Sequence, residues 1–109
     1  MISDIIVSEF HDDPEMLDIL GDFCGRLPDT ICRLQQAFEL HDMVAVQRIA
    51  HQMKGAGAGY GFRPLSEIGA ELEALARKAE WSPALHSTAD EFIRRCLIAR
   101  ANRPVVCSK

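Results

Sequence analysis

Residues 17–38 read LDILGDFCGRLPDTICRLQQAF, and they decide the fold. Apolar side chains return at Leu17, Leu20, Phe23, Cys24, Leu27, Ile31, Leu34 and Phe38, in steps of three and four. A strand alternates with a period of two and cannot produce this series, whereas a helix with one buried face does. The pattern holds for about six turns. Pro28 lies within it and has no N–H to offer the carbonyl of Cys24. The spacing therefore predicts a kink or a break into two helices, with Pro28 near the first turn of the second. Asp13-Pro14 is the expected start of the first.

Similar patterns follow on the C-terminal side. His41-Asp42 marks a turn, with Asp42 placed to cap a helix over 43–59. Gly61 closes that helix, and Pro64 sits in the first turn of another, carried by Leu65, Ile68, Leu72, Leu75, Ala76 and Ala79. Ser82-Pro83 pairs a cap with a first-turn proline and opens a last helix through Leu85, Ala89, Phe92, Ile93, Cys96 and Leu97. The expected architecture is all-α: an antiparallel up-down four-helix bundle over 28–41, 43–59, 63–79 and 83–100, with an additional N-terminal helical segment. Short connections favour antiparallel neighbours. Ile5-Ile6-Val7 is a weak strand candidate. Residues 101–109 show no periodicity and are expected to fray.

A chain of 109 residues is the length of one domain, here 1–109 with its core over about 10–100. Apolar content of 48% and charged content of 26% are ordinary for a globular protein. A net charge of −4 argues against a general nucleic-acid binder, which needs a basic excess. No apolar run is long enough to span a membrane. MISDIIVSEFHDD has no basic start followed by an apolar stretch, so a cytoplasmic location is expected. Cys24, Cys32 and Cys96 fall in apolar helical patterns and are expected as small buried thiols; Cys107 lies in the tail.

On a wheel drawn for helix 43–59, with His51 at zero, Val46, Ile49, Ala50, Met53 and Gly57 lie about 100° to 200° away and form the inward stripe. His51 is opposite that stripe and is expected to be exposed. Val44, Gln47, Gly55 and Ala58 lie within about 40° of it, and Lys54 about 60° to one side. The stretch HQMKGAGAGYG, 51–61, is costly for a helix, since each glycine loses roughly 1 kcal/mol relative to alanine. Three of its glycines have places on the wheel. Gly55 bares the approach to His51, Gly57 lets a neighbouring helix close up, and Gly61 ends the helix in a left-handed conformation. Gly59 has no such place. A bare approach, a nearby cation and small neighbours make a docking surface around a reactive imidazole, and Lys54 favours its unprotonated, nucleophilic form.

Other chemistries fit less well. The glycines end a helix and follow no strand, which excludes the nucleotide-binding loops. His11, His41, His51 and His86 lack metal-ligand spacing, so no metal is expected. His41 and His86 are expected as solvated or capping residues, and Tyr60 and Trp81 as packing residues. Glu67, Glu71 and Glu73 look like a solvated face, with Glu73 able to pair with Arg77 one turn on.

The string His51-Gln52-Met53-Lys54-Gly55, with Gly61-Phe62 after it and Leu72-Glu73 further on, resembles the histidine phosphotransfer (HPt) domain family. The likeness runs from about 10 to 100 and is nearest to phosphotransfer domains at the C-termini of bacterial hybrid sensor kinases. It implies a phosphoryl carrier with no kinase site of its own. His51 would accept a phosphoryl group on Nε2 from the aspartyl phosphate of a receiver domain and pass it to another receiver's aspartate. Lys54 matches the lysine near the phosphoryl oxygens, and Gly55 the glycine that gives access. Glu73 falls where family members often bond the other ring nitrogen, which would fix the tautomer. The partners implied are receiver domains of response regulators and hybrid kinases, the receiver bringing the Mg²⁺. A receiver-binding adaptor without transfer, or a structural bundle, is the alternative. No long self-association helix pair is evident, so a monomer is expected.

Overall fold

The computed structural model describes residues 5–101. Within them the chain forms a two-residue strand β1 (Ile6–Val7), helices α1 (Leu17–Glu39), α2 (Met43–Gly59), α3 (Arg63–Ala76) and α4 (Pro83–Ile98), and a second short strand β2 (Ala99–Arg100). α1 packs against α2 and α4, α2 against α3, and α3 against α4, so the four helices surround one core. Phe62, Phe92, Leu20, Leu34, Leu65, Ile68, Leu72, Leu85 and Val46 are its largest fully buried members. Among the described residues no helix is long and apolar enough to cross a membrane.

The predicted break at Pro28 does not occur. α1 runs for 23 residues with Pro28 inside it, so the N-terminal helical segment and the helix expected from 28 are one element. The reason lies in the phase of the apolar positions. Leu20, Phe23 and Leu27 before the proline, and Ile31, Leu34 and Ala37 after it, are buried on one continuous face. Pro28 itself points to solvent. There, the carbonyl that loses its partner can turn to water. Packing on both sides thus overrides a local penalty of about 3 kcal/mol. Replacing Pro28 with alanine should raise stability by about 2 kcal/mol, since the lost helix bond returns while some unfolded-state restriction is given up. Thermal denaturation reads this directly, and an unchanged or lower Tm would contradict it.

Helix ends follow their local chemistry. The Asp42 side chain accepts from the Ala45 N–H at 3.1 Å, and Ser82 Oγ accepts from the Leu85 N–H at 3.1 Å. Gly61 has φ +79° and lies beyond the end of α2, where the Phe62 N–H reaches back to the Gly57 carbonyl at 2.7 Å and the Gly61 N–H to Ala58 at 3.3 Å. That pair of bonds is the left-handed helix stop expected of glycine. α3 ends at Ala76, three residues before the expected end, and the chain turns through Ala79 at φ +57°.

The weak strand signal at 5–7 proves real but small. Ile6 and Val7 pair in parallel with Ala99 and Arg100, which also ends α4 at Ile98, short of the expected residue 100. The segment continues into a brace that no local pattern announced. Ser8 is fully buried, its Oγ donating to the Tyr60 carbonyl at 2.6 Å, and the Glu9 N–H donates to the Gly61 carbonyl at 2.8 Å. Together they hold the turn between α2 and α3.

The cysteines divide. Cys96 is buried, and burial pushes its thiol up to about 12, which leaves it inert at neutral pH. Cys24 is half-buried, and burial raises it too. Cys32 is exposed, against expectation. It follows Ile31 by about 100° and so falls off the stripe that Ile31 and Leu34 define. Cys107 and the expected frayed tail lie outside the described residues, apart from Ala101.

Candidate functional site

The site rests on how closely α2 approaches α3. A Cβ added to Gly57 would lie 2.6 Å from the Ser66 backbone nitrogen, and one added to Gly69 would lie 2.8 Å from the Lys54 nitrogen and 2.9 Å from the Ala50 carbonyl oxygen. Two backbones thus touch at two glycines, one on each helix. Ser66 Oγ adds a bond to the Lys54 carbonyl at 2.8 Å. Gly57 had a place on the wheel; Gly69 had none, since a single glycine inside a helical pattern carries no local signal.

This approach brings Glu73 of α3 beneath His51 of α2. The inward set of α2 is Val46, Ile49, Ala50, Met53 and Gly57, as the wheel has it, and His51 faces out with 65% of its side chain exposed. Glu73 is only 7% exposed at its side chain, and is not the solvated residue that counting along α3 suggests. His51 Nδ1 and Glu73 Oε2 are 2.8 Å apart. Lys54 Nζ lies 2.9 Å from Oε1, and Arg77 Nη2 donates to Oε2 at 2.9 Å. Arg77 therefore belongs to the site. Its only sequence signal was the one-turn spacing from Glu73.

These donors keep Glu73 ionised. Arg77 first, then Lys54, and to a lesser extent His51 outweigh the effect of burial and bring the carboxyl down from 4.5 to about 2. An ionised carboxylate only accepts, so Nδ1 must carry the hydrogen, and in the neutral ring the lone pair is then on Nε2. No described residue bonds Nε2, and it faces solvent. The arrangement presents an oriented imidazole at a surface.

The residues around His51 are placed as follows. Val44, Gln47, Arg48, His51, Glu73 and Arg77 line a shallow open depression. Val44 is 64% exposed, Gly55 and Ala58 are exposed, and the space where a Cβ of Gly55 would lie is empty. Gln47 is half-buried, and its amide donates to the Ala76 carbonyl at 3.1 Å, which ties α2 to the end of α3. Gly59 also faces open space, and nothing in the structure explains it.

The other histidines are engaged elsewhere. The rings of His41 and His86 pack against Trp81, and His86 also against Phe38. His11 Nδ1 lies 2.9 Å from the Ser8 carbonyl and Nε2 lies 3.1 Å from Asp12. Tyr60 packs on Phe23, as a packing residue should. Among the described residues no group of three acidic, histidine or cysteine side chains is placed to hold a metal ion.

Acid should loosen the fold through two carboxylates. Glu91, held by Arg94 and Arg95, is likewise brought from 4.5 to about 2, and Arg95 also donates to the Pro64 carbonyl, joining α4 to α3. A carboxyl lowered on folding contributes stability that is complete above its unfolded value and disappears as pH falls through its folded one. Stability should therefore drop between pH 4.5 and about 2. Denaturant midpoints of wild type and Glu73→Gln should converge over that window. A constant gap between them would exclude Glu73 as a source.

In a comparison with known families, a family model described as Hpt domain matches residues 18–101. No curated protein and no solved structure matches the chain.

Proposed function

Because the chain belongs to the Hpt domain family, whose members act in histidine phosphotransfer and interact with receiver domains of two-component systems, we propose that His51 is the phosphoacceptor of a receiver-to-receiver relay. Nε2 attacks the phosphorus of a receiver's aspartyl phosphate. The P–O bond to the aspartyl oxygen breaks and its electron pair returns to that carboxylate. The second transfer runs the same step backwards onto another receiver's aspartate. The observation that carries this reading is the 2.8 Å contact between His51 Nδ1 and the buried Glu73, which commits the ring to an outward Nε2 lone pair.

Lys54, bonded to Glu73 and half-exposed, is the cation assigned to meet incoming phosphoryl oxygens. Val44, Gly55 and Ala58, with the exposed edge of Gln47, form the docking surface. The receiver supplies the Mg²⁺ and the acidic pocket, so this protein needs no cofactor and contributes position. Short connections between successive helices support an up-down antiparallel order, and the same reading has a cytoplasmic monomer.

The test is transfer itself. With a ³²P-labelled phospho-receiver and Mg²⁺, the protein should take up acid-labile, alkali-stable label and lose it to a second receiver. Stable binding of receivers with no label would instead make the protein a receiver-binding adaptor.

A further inference from the structure

We infer that the groove between α1 and α4 is a docking site for a basic amphipathic helix of a partner protein, on a face that the His51 site does not use.

Because α1 packs on α2 and α4, and α3 on α2 and α4, the α1–α4 groove lies across the core from the α2–α3 contact that holds His51. Its cavity measures about 520 Å³ and is open to solvent. Leu34 and Phe38 of α1 and Ala89 and Ile93 of α4 form its floor. All four belong to the apolar stripes of their helices, yet Phe38 and Ile93 are only half-buried. A stripe that turns inward and still meets water is a helix face without a partner. The groove runs from His86 to Ile93 along α4, about two turns, which is room for a short stretch of helix laid between α1 and α4.

Charge on the rim selects the occupant. Glu39 of α1 and Asp90 of α4 are both exposed there, and neither has an ion-pair partner among the described residues. No described lysine or arginine lines the groove; its other ionisable group is His86, whose ring packs edge-on against Phe38. The opposite flank of α1 has the reverse sign. Between α1 and α2, Arg26, Arg33 and Arg48 line the surface against the single acid Asp42. α1 thus divides an acidic groove from a basic one, so a helix with a basic flank is drawn to α1–α4 and turned away from α1–α2. A small ligand fits less well. Such a site needs polar groups waiting inside it, and every buried side-chain nitrogen or oxygen among the described residues already has its hydrogen-bond partner.

The experiment titrates the ¹⁵N-labelled full chain with three synthetic peptides, each about four turns long. One places leucine and lysine at amphipathic spacing, one places leucine and glutamate, and one carries serine and lysine with the same charge as the first. The leucine–lysine peptide should shift amide signals of 34–39 and 86–93 and leave those around His51 in place. The other two should bind at least about tenfold more weakly. Reversing both rim charges, Glu39→Lys with Asp90→Lys, turns two attractions into repulsions and should weaken the leucine–lysine peptide about tenfold. Both positions are exposed and outside the core, so the double variant should fold and take label from a phospho-receiver as wild type does. No shift in the groove, shifts centred on α2 and α3, equal binding of the serine–lysine peptide, or unchanged affinity in the double variant would overturn the inference. Groove signals that move with protein concentration alone would also overturn it, since the occupant would then be a second copy. A chain that binds the peptide in the groove yet accepts no phosphoryl group loses the relay function and keeps the docking site.

Discussion

His51→Gln is expected to take no label from a phospho-receiver, a loss of roughly a thousandfold or more, as when any enzyme loses its nucleophile. The fold should survive it. The His51 side chain is largely exposed and outside the core, and a glutamine amide can still donate toward Glu73. Its unfolding midpoint should stay within about 0.5 kcal/mol of wild type. The other histidines offer no substitute. His41 and His86 are packed on Trp81, and His11 has contacts at both ring nitrogens. Receiver binding should persist, since Val44, Gly55 and Ala58 are untouched. A folded His51→Gln that still takes acid-labile label would move the phosphoacceptor elsewhere.

What could be seen in the sequence divides along the range of the interactions involved. The inward stripe of α2 and the outward placement of His51 depend on helix geometry alone, and the wheel obtains both. Asp42, Ser82 and Gly61 act within a few residues of themselves and were equally legible. Glu73 was not. Counting along α3 puts it on a solvated face, and only the resemblance singled it out. Its burial depends on how near α2 comes, which is a matter of two helices together. Arg77 became a site residue for the same reason. Ser8 is further removed, since its partner Tyr60 is 52 residues away along the chain. Pro28 shows the converse: a sound local rule failed because buried residues on both sides of it lie on one face.

The approach of α2 to α3 is therefore the feature on which site and stability both depend, and Gly69→Val tests it. A side chain at 69 would meet the Lys54 nitrogen and the Ala50 carbonyl at under 3 Å, and both are backbone atoms that cannot swing aside. Valine is a better helix former than glycine by a few tenths of a kcal/mol, a gain too small to decide the sign. Forcing branched carbon into a closed contact costs about 3 kcal/mol or more, so the variant should be strongly destabilised. Gly59→Ala provides the contrast. It places a methyl in open space and should stabilise by about 0.5–1 kcal/mol. The milder Gly69→Ala separates geometry from unfolding. Whatever fraction remains folded should have α3 displaced next to the residues that flank His51, stretching the 2.8 Å bond to Glu73. Phosphoryl acceptance should then fall further than the folded fraction does, because a ring freed of Glu73 samples both tautomers and turns away from its attacking geometry. If Gly69→Ala lost activity only in proportion to its unfolding, the close packing of α2 on α3 would serve stability alone. If it lost neither, the two helices would have room that their backbone contacts deny.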